Sequence, residues 1–442
     1  MVVENMLFLL LMMLLIMLFT AYIITNRDIL SPWVISIYMF IVTVIIAILN
    51  YKDWNENITE LTILIVMIGL ICFGVGEIIG KSLFGRVRSI PLTNRSPLTE
   101  NVRINIKNRS LIFTVFIICI VIYFNINHTL DLANRVGYAR GMQNLLYYVR
   151  IAQFDANIDS SRNGILNLGL TYSTIISYFF IFVFLYNLII TNKSQKKYLL
   201  LSPALLNIIN IILSTGRTQF INLITFILIL LFLMLKQKYN WSVKLNNRIM
   251  LYGLLGIFGF LLVFRMSGYL TGKSNLYSIW DNISIYVGSP IIALSKYLDN
   301  PPERFLFGSE TLYSVYHILR KTGLDIPQYN LNLEFISWNN VKNVNIYTAL
   351  RRYVHDFGIL GMSLIMIIIG FFYGNFYSYI KKKRTIDLYT IIYAMIFFPI
   401  TQIALEERFF TNVISIQGIY NVIFMIVVWK LYINKKNILK IN

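Results

Sequence analysis

Charge is scarce in this chain of 442 residues: 13% of the residues are Asp, Glu, Lys or Arg, about half the share in an ordinary soluble domain. Acids are scarcer still, 20 against 39 Lys and Arg, and there are 2 Cys and 3 His. Too few charges remain to coat a soluble body of this length. Cys72 and Cys119 both sit inside apolar runs, without metal-ligand spacing or a disulfide pattern, and read as small core residues. There is no G-x-x-x-x-G-K-[ST] loop, no H-E-x-x-H pair and no Gly-rich dinucleotide turn. Neither a cofactor nor a metal is called for. Acids inside apolar stretches are nearly absent too, with Glu77 the one well within a run. Proton-coupled transport would ordinarily need a relay of such groups.

What the chain has instead is apolar length, 57% hydrophobic residues gathered into runs such as Met6–Ile24 and Ile211–Leu235. A helix of about 20 such residues crosses the hydrocarbon core of a bilayer. The pattern predicts an all-α polytopic membrane protein, 1–442 forming one integral membrane domain. Eleven spans are expected near 6–24, 33–49, 61–80, 111–124, 165–190, 199–214, 218–235, 249–267, 357–379, 386–404 and 413–432. Ser214-Thr215-Gly216-Arg217 is the sole polar break between two of them. The first run lacks the basic flank and small-residue cleavage site of a removable signal.

Orientation follows from Lys and Arg in the connecting segments. With 81–110 in the cytoplasm and alternation outward, the inner segments collect 15 Lys and 8 Arg against three acids; the outer ones hold 5 Lys and 11 Arg against 16 acids. The net charge of +19 is thus a positive-inside signal and requires no nucleic acid. The N-terminus falls outside and the C-terminus in the cytoplasm. Two long outer segments result, 125–164 and 268–356. In the first, Leu132, Val136, Ala139, Met142, Leu146 and Val149 recur at helical spacing, which predicts an interfacial helix. In the second, Leu276–Leu298 imitates a span, but Asp281 and Gly288-Ser289-Pro290 point to an interfacial or re-entrant segment.

The outer face prefers arginine where topology needs only a point charge. Arginine's planar fork suits phosphate or carboxylate, although headgroup contacts or pairing with the outer acids would explain any single one. Two places concentrate the signal. Arg217 lies in a turn of about four residues between two spans, where a charge is costly unless paired, functional or snorkelling. Arg351, Arg352, His355 and Asp356 fall within six residues at the entry to a late span. On a helix, Arg351 shares a face with His355, and Arg352 with Asp356. That set offers diphosphate clamps beside a proton acceptor, or, more plainly, a helix-end ion pair.

Ser214–Thr218, a Gly-Arg-Thr turn between middle spans, and Tyr353–Gly361, Tyr-Val-His-Asp-Phe-Gly-Ile-Leu-Gly, resemble motifs of the bacterial O-antigen and capsular polysaccharide polymerases of the Wzy type. The layout resembles that family along the whole chain, the motifs over about twenty residues. One loop feature of some members, an arginine with a glycine eleven positions later, is not matched, since Gly361 follows Arg351 by ten. The resemblance implies a GT-C-like membrane glycosyltransferase at the outer face of the bacterial plasma membrane, with undecaprenyl-diphosphate-linked oligosaccharide as substrate. It implies Arg217, Arg351, Arg352 and Arg265 as diphosphate contacts, His355 or Asp356 as proton acceptor, and no metal. Membrane lipids, a flippase and a chain-length regulator are the implied partners. A glycan ligase and a lipid-linked oligosaccharide flippase are the competing readings. Ligase loss would leave polymer on the carrier lipid, and a flippase would need a charged path through its spans.

Overall fold

The computed structural model describes residues 5–86, 102–139, 144–155, 158–189, 198–241, 279–303, 306–327, 333–339, 341–383, 386–433 and 438–440. Seven of the described helices are long and apolar enough to cross a membrane. They are α1 (Asn5–Ile24), α2 (Pro32–Leu49), α3 (Glu60–Arg86), α4 (Asn108–Arg135), α5 (Gly164–Ile189), α6 (Thr218–Lys238) and α7 (Ala349–Lys383). Their outward faces are apolar, as Phe8, Met12, Ile16 and Phe19 on α1 illustrate; a helix hydrophobic all round has lipid or protein as its solvent.

Three further apolar helices, Tyr198–Leu213, Leu388–Gln402 and Ile416–Tyr432, are shorter. They lie on expected spans but do not have the length to count as crossings by themselves, so the described residues support seven rather than eleven. The expected span 249–267 lies outside the described residues, as does Arg265. The expected short span at 111–124 is in fact the 28-residue α4. It absorbs Leu132, and Gly137 with φ 87° then turns the chain. The predicted interfacial stripe is therefore divided, with Leu146 and Val149 on a separate helix, Leu145–Phe154.

Two compact units can be distinguished. The first comprises Met1–Ile90, Ile279–Lys383 and Ile396–Ile419. Its spine is the pairing of α3 with α7, made by two interleaved Gly-x-x-x-Gly runs. A Cβ at Gly76 or Gly80 would meet the backbone at Ile367 or Phe371, and one at Gly370 or Gly374 the backbone at Phe73 or Glu77. Small residues of this spacing let helix backbones touch where no hydrophobic effect drives them together. Rising numbers on α3 meet rising numbers on α7, so the two helices run parallel.

Glu77 is wholly buried in this contact. Its carboxylate accepts the Trp33 N–H at 2.6 Å and the Ser31 hydroxyl, capping the start of α2, and it pairs with Lys81. The lone acid of the spans thus satisfies orphan donors at a helix end. Nearby, Asp28 accepts from the Tyr377 hydroxyl at 3.0 Å and from Lys381 at 2.8 Å.

The segment expected to imitate a span folds as Ile279–Ile283, a π turn at Ser284–Gly288 and the helix Ser289–Asp299. It packs on α2, with Trp280 Nε1 donating to Asn50 Oδ1 at 3.0 Å.

The second unit comprises Pro91–Ser278, Arg384–Met395 and Tyr420–Asn442. Side-chain hydrogen bonds tie its helices: Asn125 to Asn210 at 3.1 Å, Asn210 to Ser173 at 3.2 Å, and Ser173 to Asn207 at 2.8 Å. Strands Val102–Ile104 and Ile438–Lys440 form an antiparallel pair.

Candidate active site

Four of the residues singled out in the sequence come together at the head of α7, inside the first unit. The backbone at Gly358, φ 68° and ψ −174°, separates a short leading helix from the long apolar one. That combination is essentially confined to glycine. Ahead of it, Arg351, His355 and Asp356 turn into the protein and all three are buried.

Arg351 is the centre of the cluster. Its guanidinium pairs with Glu310 on one side and donates to Glu334 at 2.7 Å on the other. It lies 4.5 Å from the Tyr297 ring centroid and 5.4 Å from that of Tyr347. Glu310 is itself 1% exposed in its side chain, and Arg352 Nη1 and His355 Nε2 approach it at 3.8 Å and 3.6 Å. Burying this many charges is tolerable only because they are paired. The expected role of Arg351 as a direct diphosphate contact does not fit this geometry, since its fork is occupied by two carboxylates and closed to solvent.

Asp356 holds the neighbouring turn. Its two oxygens accept the backbone N–H groups of Glu310 at 3.4 Å and Thr311 at 2.6 Å. His355 Nδ1 sits 3.0 Å from the Tyr297 hydroxyl. The Tyr347 hydroxyl donates to the Glu334 carbonyl at 3.1 Å. Burial and the nearby Glu334 carboxylate push that phenol's pKa well above its usual range.

Beside the cluster is a cavity of about 260 Å³, lined by Leu333, Asn345–Thr348, Arg352, Glu406–Arg408 and Thr411. Glu407 closes its floor. This buried carboxylate accepts the Tyr353 hydroxyl at 3.1 Å and the N–H groups of Phe410 at 2.7 Å and Thr411 at 3.2 Å. Arg408 pairs with Glu406 at 2.6 Å, and the side chains of both are about a third exposed. Among the described residues no group of three His, Cys, Asp or Glu side chains is placed to hold a metal ion.

Arg217 belongs to the second unit, where it precedes the first turn of α6. Its neighbour Thr215, at φ 57°, donates to Gln153 Oε1 at 2.8 Å, so the polar break is a tight turn as expected.

A polar cavity lined by Arg352 thus lies at the head of a helix long and apolar enough to cross a membrane. The chain is similar to an O-antigen polymerase. That relative, from Shigella dysenteriae, is 24% identical over 232 residues, 50% of this chain and 54% of its own length. The chain thus spans about half the length of the curated relative it matches. No family model and no solved structure matches the chain. The relative supports the resemblance to the Wzy-type polymerases that the two motifs carry, and a glycosyltransferase-type enzyme in general.

Sequence reasoning missed Glu310, Glu334, Tyr297 and the Glu406–Arg408 turn. One signal for the acids was present: the segments expected on the outer side hold as many carboxylates as cations. Pairing with acids of those segments, the plainer reading of any single arginine there, is what Arg351 does.

Proposed function

We propose that this protein polymerises lipid-linked oligosaccharide repeat units at the outer face of a bacterial plasma membrane. The hydroxyl at the non-reducing end of a new lipid-linked repeat attacks the anomeric carbon of the growing glycan. The bond from that carbon to the diphosphate oxygen breaks, and undecaprenyl diphosphate leaves with the electron pair. The proton of the attacking hydroxyl passes to His355. Arg352 faces the diphosphate and stabilises its developing charge, an electrostatic role that needs no metal. Arg351 and Asp356 are positioning residues: one gathers Glu310 and Glu334, the other fixes the turn that carries Glu310. A flippase supplies the repeat and a chain-length regulator ends the polymer in this scheme.

The observation that carries the reading is the polar cavity at the head of α7, which Arg352 lines. The parallel pairing of α3 and α7 supports the topology. Parallel spans require an odd number of crossings between them. The described residues hold four apolar helices there, and the apolar run 249–267 would be the fifth. Three crossings by α4, α5 and α6 alone meet the same parity; the eleven-crossing, GT-C-like layout, with the N-terminus and the head of α7 outside and the C-terminus in the cytoplasm, is part of this proposal.

Deletion of the gene, followed by sizing of lipid-linked glycan, tests the reading. Single repeats on the carrier lipid are expected. Full-length polymer held on that lipid would overturn the proposal in favour of a ligase, and an unchanged glycan profile would overturn it outright.

A further inference from the structure

We propose that the cavity beside Arg352 is a saccharide subsite that seats the terminal sugar of the acceptor repeat, with Thr348, Glu406 and Arg408 as its specificity-determining residues. This rests on the polymerase reading, and it assigns the cavity to the sugar rather than to the diphosphate.

Charge balance makes the first argument. Two arginines, Arg352 and Arg408, and two glutamates, Glu406 and Glu407, line the cavity together. A site for a dianion would be rich in cations alone, whereas this wall is neutral in sum and mixes donors with acceptors. Such a wall matches a polyhydroxylated ligand, whose every hydroxyl both donates and accepts.

Unmet hydrogen bonding makes the second. Thr348 is 1% exposed, yet its Oγ1 has no hydrogen-bond partner, and neither has Nε of Arg408. A buried polar group left unpaired costs about 1–3 kcal/mol. Both residues line the same cavity. Seating a ring bearing several hydroxyls would give either side chain a partner to turn toward.

Construction and size make the third. The two sides of the wall are fastened together by the Ala349 N–H bonded to the Ile403 carbonyl at 3.0 Å. Glu407 accepts from Tyr353, Phe410 and Thr411 and so keeps the turn shaped. The neighbouring Glu406–Arg408 pair is left facing the opening. At about 260 Å³ the space is just under the roughly 300–1,000 Å³ of sites for drug-sized ligands, which suits one sugar ring and not a lipid headgroup with its chains.

The test uses the full-length protein in detergent. The probe is the repeat-unit oligosaccharide freed by mild acid from the carrier lipid of cells lacking the gene. The wild type is expected to bind it saturably. Thr348→Val and Glu406→Gln should each weaken binding tenfold or more, and Thr348→Ser should bind as the wild type does. Equal elution and unfolding temperature of the variants keep a folding defect apart from a lost contact, and Glu406→Gln changes only a partly exposed side chain. Absence of wild-type binding, or wild-type affinity in both Thr348→Val and Glu406→Gln, would overturn the inference. If the deleted cells carry single lipid-linked repeats, the polymerase reading stands through any of those failures. If they do not, that reading falls and takes this inference with it.

Discussion

Replacing Arg351 with alanine separates the two roles that arginine could have in this cluster. In the structure the guanidinium is fully buried and answers Glu310, which is itself 1% exposed. Truncation would leave that carboxylate in the interior with Arg352 Nη1 at 3.8 Å and His355 Nε2 at 3.6 Å. Breaking a buried pair from one side costs about 3–5 kcal/mol. Glu334, whose side chain is 35% exposed, loses much less, roughly 0–1 kcal/mol. The arginine's place over the Tyr297 and Tyr347 rings adds about 0.5–2 kcal/mol. A total near 5 kcal/mol is a large part of the 5–15 kcal/mol that holds a typical protein together. Thermal unfolding of purified variants in detergent should show Arg351→Ala strongly destabilised. The double change Arg351→Met with Glu310→Gln should recover most of the loss, because no charge is then stranded. A wild-type unfolding curve for Arg351→Ala, together with lost polymer synthesis, would refute the structural role and restore this arginine as a ligand contact.

Other consequences can be checked in parallel. Gly370→Leu should prevent α3 and α7 from closing, and size-exclusion chromatography should show aggregated protein in place of a sharp peak. Gly358→Ala forces a Cβ into a conformation nearly reserved for glycine; a loss of about 1–3 kcal/mol is expected by thermal unfolding. Tyr297→Phe removes the hydroxyl beside His355 Nδ1 and should leave folding intact while lowering polymer yield about tenfold, the worth of roughly one hydrogen bond. His355→Ala should lower it by about a hundredfold or more if His355 is the proton acceptor. Equal yields from Tyr297→Phe and the wild type would remove the hydroxyl from the mechanism.

The apolar runs made the long helices legible, because about 20 apolar residues in series leave few alternatives to a crossing helix. Where runs were interrupted, legibility ended. Asn125–Arg135 carries enough polar residues to resemble a surface stripe, yet it continues α4, since a helix does not stop for polarity without a breaker such as Gly137. At the site, helical spacing correctly grouped Arg351 with His355. It could not reveal that Glu310 and Glu334, from separate stretches of the chain, would occupy the arginine's fork. The Glu406–Arg408 turn carried no periodic or motif signal, and became visible only through the space it encloses. Glu77 was conspicuous in sequence as an acid in a span, but its use as a cap for α2 depends on where Ser31 and Trp33 lie.

The glycine pairing of α3 with α7 also sets an order of events in biosynthesis. α3 enters the membrane while most of the chain is still unmade, and its glycine-lined groove must wait until α7 emerges near the end of translation. Until then the head of α7, and with it Arg352, His355 and one wall of the cavity, does not exist in assembled form. A chain released early therefore has membrane anchors but no site, and a fragment carrying α7 should regain its partner only when residues 60–86 are supplied alongside it.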